Sequence, residues 1–241
     1  MKSSRGSALS VCICMLLFSP AALADEPTRL GLSAGTDFPM SLGVRGGLEL
    51  PFRLRISTSL GLLPKPYVKV IDGFLRGISA YDDATGDLVV SSLQSSLIWR
   101  THVGYRPFPK LGLYGDVGYG LVTLGGGATT AELVSALAKV QIPAADQGAG
   151  SRSLTAKSSL HMVDVEIGWE QVFESGLFLR GALGGAFTFA ASTSIEPDFQ
   201  PRAPQLFGRL TSAGETYLDD VYTSYVFVPV LTLGAGYLFS L

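Results

Sequence analysis

The sequence predicts an all-β protein: a transmembrane antiparallel up-and-down β-barrel of eight strands, with ten as the alternative, and long loops carrying a short helix. Three observations predict it. Apolar and polar residues alternate with a period of two along eight separate segments, and the connections between those segments alternate between short and long. The composition is 47% hydrophobic and 16% charged over 241 residues, with 29 glycines and 10% aromatics; an average soluble domain carries roughly 25% charged residues. Mean hydropathy is +0.34, yet no internal stretch reaches the ~18 apolar residues of a membrane helix. This balance excludes a disordered chain, a helical membrane protein and a polybasic nucleic-acid binder.

The elements follow in chain order. Lys2 and Arg5 precede an apolar run, Ala8 to Phe18, and Ala22-Leu23-Ala24 supplies a small-x-small cleavage site, so residues 1–24 read as a cleaved signal peptide and 25–241 as one barrel domain. Cys12 and Cys14 leave with that segment, and the mature chain carries no cysteine, hence no disulfide or thiol chemistry. No cysteine sits at the cleavage site, which argues against a lipid anchor. The mature chain has 16 basic and 20 acidic residues, a net charge of −4. The alternating segments are Arg29–Thr36, Ser41–Leu50, Arg53–Leu62, Ser95–Phe108, Leu111–Leu124, Leu160–Phe173, Leu177–Phe189 and Ser224–Ser240. In the fifth, Leu113, Val117, Tyr119 and Leu121 oppose Tyr114, Asp116, Gly118 and Gly120; in the sixth, Val163, Val165, Ile167 and Trp169 oppose Asp164, Glu166, Gly168 and Glu170. Each segment suits a sheet with one apolar and one polar face and is long enough for a tilted strand to cross a bilayer.

Tight turns are expected at Pro51-Phe52, Pro107-Phe108-Pro109 and Glu174-Ser175-Gly176, against long connections at 63–94, 125–159 and 190–223; only Asp37–Met40 is short on the second rim. Short turns on one rim and long loops on the other are the pattern of bacterial outer-membrane barrels. Alternation alone does not tell inside from outside, and a secreted lipocalin-like barrel would turn its apolar face inward. Glycines on the polar face (Gly43, Gly47, Gly61, Gly104, Gly118, Gly168, Gly184, Gly236) make room in a narrow lumen. On the apolar face, Tyr105, Trp169, Tyr237 and Phe239 stand near the short-turn ends, where an interfacial aromatic girdle belongs. Both features favour lipid outside.

The chain therefore resembles the small eight-stranded outer-membrane barrels of the OmpA, OmpX and OmpW type over nearly all of its mature length. The C-terminal Gly236, Phe239 and Leu241 resemble the signal by which such barrels are recognised for assembly, although the family more often ends in Phe. The resemblance implies location in the cell outer membrane, short periplasmic turns and long extracellular loops, contact with outer-membrane lipid and lipopolysaccharide, and delivery by the barrel-assembly machinery.

The polar face then becomes a charged lumen: Arg45, Glu49, Arg53, Arg55, Arg100, Arg106, Asp116, Asp164, Glu166, Glu170 and Arg180. An eight-stranded interior is just wide enough for side chains to fill, and buried charges need partners. If Tyr105 opposes Leu111 and Phe173 opposes Leu177, Arg100 meets Asp116 and Glu170 meets Arg180, while Glu49 meets Arg53. The expectation is a satisfied polar plug, with a narrow ion path as the other reading. His102 joins the lumen face. His161 follows Ser159 without an adjacent carboxylate to orient it, so the chain reads as no enzyme. Two histidines without matching carboxylate spacing offer no zinc site, and no cofactor is implied. The glycines at 118–127 lack the lysine and helix of a phosphate loop. In the connection at 125–159, Thr129 and Thr130 before Glu132, then Leu133, Val134, Leu137 and Val140 up to Pro143, predict a capped amphipathic helix. The apolar residues of the other two connections predict a cap or a hydrophobic pocket at the mouth. The functional expectation is a structural or interaction protein whose extracellular loops bind a partner. The alternatives are a narrow porin-like channel for small or hydrophobic solutes and a secreted ligand binder.

Overall fold

A computed structural model of the chain describes residues 27–77, 95–129 and 152–241, together with 86, 90, 133, 134 and 137. The expected signal peptide lies outside the described residues. The eight alternating segments become β1 (Arg29–Phe38), β2 (Ser41–Glu49), β3 (Leu54–Leu62), β4 (Ser95–Phe108), β5 (Leu113–Thr129), β6 (Ser153–Val172), β7 (Leu177–Pro197) and β8 (Phe227–Ser240). Each pairs antiparallel with its chain neighbours, and β1 pairs with β8 from Arg29 opposite Ser240 to Phe38 opposite Leu231. The barrel is closed with eight strands. The length that left ten strands open goes instead into β5, β6 and β7, of 17, 20 and 21 residues, and into helices.

Two of those helices lie outside what the alternation predicts. Lys65–Gly77 forms α1, whose Val68 and Leu75 are buried and whose Asp72 and Arg76 pair one turn apart at 2.9 Å. Pro204–Tyr225 forms α2, with Pro204 in the first turn and Thr211, Gly214, Leu218, Val221 and Tyr222 on its buried stripe. Gly214 is required by packing: a Cβ there would stand 2.5 Å from Leu133. Of the helix expected in the connection at 125–159, Leu133, Val134 and Leu137 are helical, whereas Thr129 ends β5; Thr130, Glu132, Val140 and Pro143 lie outside the described residues.

The turns set the register, and here two expected pairings are corrected. Pro51–Arg53 forms a 3-10 turn in which Phe52 and Arg53 take positive φ of 71° and 62°. It consumes the residue expected to open β3, so Glu49 stands opposite Arg55 rather than Arg53. Pro109–Leu111 forms a second such turn, closed by Gly112 at φ 71°. An irregularity between Tyr105 and Phe108 takes back one residue of its shift, and Tyr105 faces Gly115 instead of Leu111. Arg100 therefore faces Gly120, and the residue opposite Asp116 is Gly104. The third turn behaves as expected: Phe173 N–H donates to Leu177 O at 2.8 Å, and Glu170 stands opposite Arg180.

The burial pattern is inverted relative to a water-soluble barrel. Val44, Val117, Ile167, Leu183 and Leu233 are exposed on the outer wall, whereas Arg100, Asp116, Asp164 and Glu166 are buried inside. Trp169, Tyr237 and Phe239 mark the outer wall near the short turns, with Tyr105 half-buried among them. Trp99, Tyr119 and Phe189, with the stacked pair Phe187 and Phe227 (centroids 4.6 Å apart), mark it toward the long loops.

Candidate functional site

Inside the wall, the strands bring five arginines, six carboxylates and His102 into a network of two ion-pair clusters that meet at the Tyr114 ring, among the described residues. Near the long-loop end, Arg100 reaches Asp37 Oδ2 through Nη1 (2.8 Å) and Asp164 Oδ2 through Nε (3.0 Å). His102 Nε2 lies 2.5 Å from Asp164 Oδ1, and Thr232 donates to Asp37 Oδ1 at 2.7 Å. At mid-height Arg45 bridges Asp37 (3.4 Å) and Glu166 (3.3 Å). Arg180 pairs with Glu166 and reaches Asp116 at 3.4 Å. Toward the short turns Arg55 meets Glu170 (3.2 Å), and Arg106 pairs with Glu170 and with Glu49 (3.1 Å). The Tyr114 ring separates two of the cations, its centroid 4.0 Å from the Arg55 guanidinium carbon and 4.8 Å from that of Arg180.

Glycines opposite the large side chains make this density possible. A Cβ at Gly104 would fall 1.7 Å from Asp116 Oδ1, one at Gly118 2.4 Å from the His102 ring, and one at Gly168 2.2 Å from the Tyr114 ring. Among the spaces left are two cavities of about 30 Å³ each, both lined by Arg45 and Arg180, and a larger one of about 280 Å³ at the short-turn rim, lined by Glu49, Arg106 and Glu170 with Pro109, Lys110 and Gly112.

Most of the lumen residues expected from the sequence thus lie in the network, but their partners differ from those strand adjacency suggests. Arg180 stands opposite Glu170 yet pairs with Glu166 and Asp116, and Arg100 pairs across the lumen with β1 and β6. Arg53 is the exception: it sits in the rim turn and donates to Pro107 O at 3.1 Å. Asp37, which joins two arginines, falls just beyond the segment of alternation that ends at Thr36. One further step of the same period through Ser33 and Gly35 reaches it. Gly236 faces inward near Phe178, while Phe239 and Leu241 are exposed.

Outside the lumen, His161 accepts or donates a 2.6 Å hydrogen bond with Tyr119 OH and joins the aromatic band beside Phe189. Ser158 points to the opposite face of β6, where it is buried against Thr193 at 2.9 Å. At the mouth, Met40, Ile98, Val122, Leu160, Met162 and Val228 build an apolar layer continuous with Leu218, Val221 and Tyr222 of α2. It holds a cavity of about 50 Å³.

No family model and no curated protein matches the sequence. Among solved structures, a major outer membrane protein from Thermus thermophilus is similar, with a TM-score of 0.50 and 16% identity over 89% of this chain and 100% of that one. Two others, the N-terminal β-barrel domain of Pseudomonas aeruginosa OprF (TM-score 0.40, 12% identity, 88% of this chain and 96% of that one) and Acinetobacter baumannii CarO2 (0.42, 11%, 89% and 100%), resemble it more loosely. The likeness to the Thermus protein shows the fold: a closed eight-stranded barrel of the kind found in outer membranes.

Proposed function

We propose that the chain is an outer-membrane barrel that spans the bilayer with a closed lumen and offers its long-loop rim as an interaction surface. The observation that carries this reading is the inverted burial. Ile167, Leu183 and Leu233 are 71%, 68% and 52% exposed, whereas Arg100 and Asp164 are 2% and 1% exposed. In water such a wall has no cover; in a bilayer it is the apolar band that lipid requires, bounded by aromatic girdles.

The closed lumen follows from size. Inward of the 280 Å³ space at the short-turn rim, the cavities lined by Arg45 and Arg180 are about 30 Å³ each, room for a water or two and no hydrated ion. Arg45 and Arg180 line both cavities, and Glu166 pairs with each of the two arginines. The apolar layer at the mouth adds a second barrier to ions. These features support a plugged barrel over the channel alternative. Contact with lipopolysaccharide, recognition of Gly236, Phe239 and Leu241 by the assembly machinery, and removal of residues 1–24 belong to the same reading.

Two experiments test the membrane placement. Cell fractionation is expected to recover the chain with the outer membrane; recovery in the periplasm or medium would contradict the reading. In vesicles of brominated phosphatidylcholine, the fluorescence of Trp99 and Trp169, 43% and 44% exposed on the outer wall, is expected to be quenched, and unquenched emission from folded protein would contradict it.

A further inference from the structure

The barrel wall is not of even height. β8 pairs with β7 up to Phe227 opposite Phe187, but with β1 only up to Leu231 opposite Phe38. Over Phe227–Val230 the β1 side of β8 has no strand partner among the described residues, because β1 turns into β2 at Pro39-Met40. Helix α1 stands over the low side instead, held to β1 by Tyr67, whose hydroxyl lies 2.8 Å from Thr36 Oγ1 and whose ring meets Phe38 edge-on at 5.0 Å.

Between α1 and the free edge of β8 lies a cleft of about 400 Å³, within the ~300–1,000 Å³ of ligand pockets. Its lining comes from both faces of β8: Phe227 and Leu231 belong to the outer wall, Val228 and Val230 to the inner. The cleft thus passes around the strand edge and through the wall. Ile71, Leu75 and Val228 line both this cleft and the apolar cavity at the mouth, so the two spaces share a partition. Val70 and Phe74, on the outer side of α1, are 43% and 41% exposed.

Pro229 indicates what does not fill the gap. Even-numbered residues of β8 direct their amides toward β7, as Leu238 N–H does to Gly176 O, and odd-numbered ones toward β1, as Leu241 N–H does to Thr28 O. Pro229 therefore lacks its N–H on the open side, where a pairing strand would need it; proline on a free edge blocks strand addition. The outer mouth of the cleft continues the apolar wall through Leu183, Phe227 and Leu231, and Lys65 and Lys69 are exposed on α1. We propose that the cleft takes the acyl chain of an anionic membrane lipid, which enters sideways from the bilayer between α1 and the β8 edge with its phosphate toward the α1 lysines. The proposal rests on the membrane-spanning reading above.

The test uses the full chain in bilayers of phosphatidylglycerol bearing a diazirine at the acyl terminus, with irradiation and peptide mapping. Adducts are expected on Ile71, Val228 and Val230 as well as on the outer-wall residues Val117, Val165 and Ile167. Val70→Trp, at an exposed position of α1, is expected to abolish the adducts on Val228 and Val230 and to leave those on the outer wall. Outer-wall adducts with Ile71, Val228 and Val230 unlabelled in the native chain would overturn the lipid site alone. Absence of adducts on the outer wall as well would overturn the membrane-spanning reading and the lipid site with it.

Discussion

Arg100 holds two carboxylates, Asp37 and Asp164, and all three side chains are buried. Removing one partner of a buried pair leaves an uncompensated charge and costs ~3–5 kcal/mol. Arg100→Ala is therefore expected to lower the urea midpoint of the folded, heat-modifiable band steeply, and Arg100→Ala/Asp164→Ala to recover part of the loss. The same cycle sorts the pairings: Arg180→Ala and Asp116→Ala should couple more strongly than Arg100→Ala and Asp116→Ala, since Arg180 touches Asp116 and Arg100 does not face it. Gly168 offers a steric test at this scale. A methyl there would overlap the Tyr114 ring at 2.2 Å, so Gly168→Ala is expected to reduce the folded fraction, and adding Tyr114→Ala to restore it in part. The lumen residues are legible in sequence because the polar face of each strand names them. Their partners are not, because an arginine side chain spans a narrow lumen and finds carboxylates on strands that are not its neighbours, as Arg45 on β2 finds Glu166 on β6.

The strands are legible as elements because an exposed apolar wall outside and a polar plug inside impose the strictest form of period-two alternation. Their register is not. It depends on how many residues each turn consumes: the turn at Pro109–Gly112 shifts the register by five residues, the irregularity before Phe108 takes one back, and Arg100 ends four positions from Asp116. The helices are partly legible: Leu206, Phe207, Leu210, Tyr217 and Leu218 already fall at helical spacing, but eight strong strand signals around them leave that stretch looking like a connection. α2 packs its stripe on β7 and on Leu133, with Leu133 and Leu218 fully buried. Leu218→Ala is expected to cost ~2–5 kcal/mol. The loss should fall on the cap: limited proteolysis is expected to cut within Pro204–Tyr225 faster, while the heat-modifiable barrel band persists. Equal loss of both would mean that cap and wall unfold as one unit.

At the scale of the whole molecule, three layers define the barrel. The short-turn half is a charged plug, the long-loop half an apolar chamber under helices, and the outer wall an apolar band between aromatic girdles. On the proposed reading, the plug makes the barrel a rigid anchor, and the chamber with its side cleft gives the long-loop rim something to bind. Both statements require that nothing hydrated crosses from rim to rim. The most direct measurement is single-channel recording of the refolded full chain in a planar bilayer, with folding confirmed on the same sample by its heat-modifiable band. A folded barrel that inserts and stays electrically silent is the predicted result; discrete, repeatable conductance steps from the native chain would contradict the closed lumen.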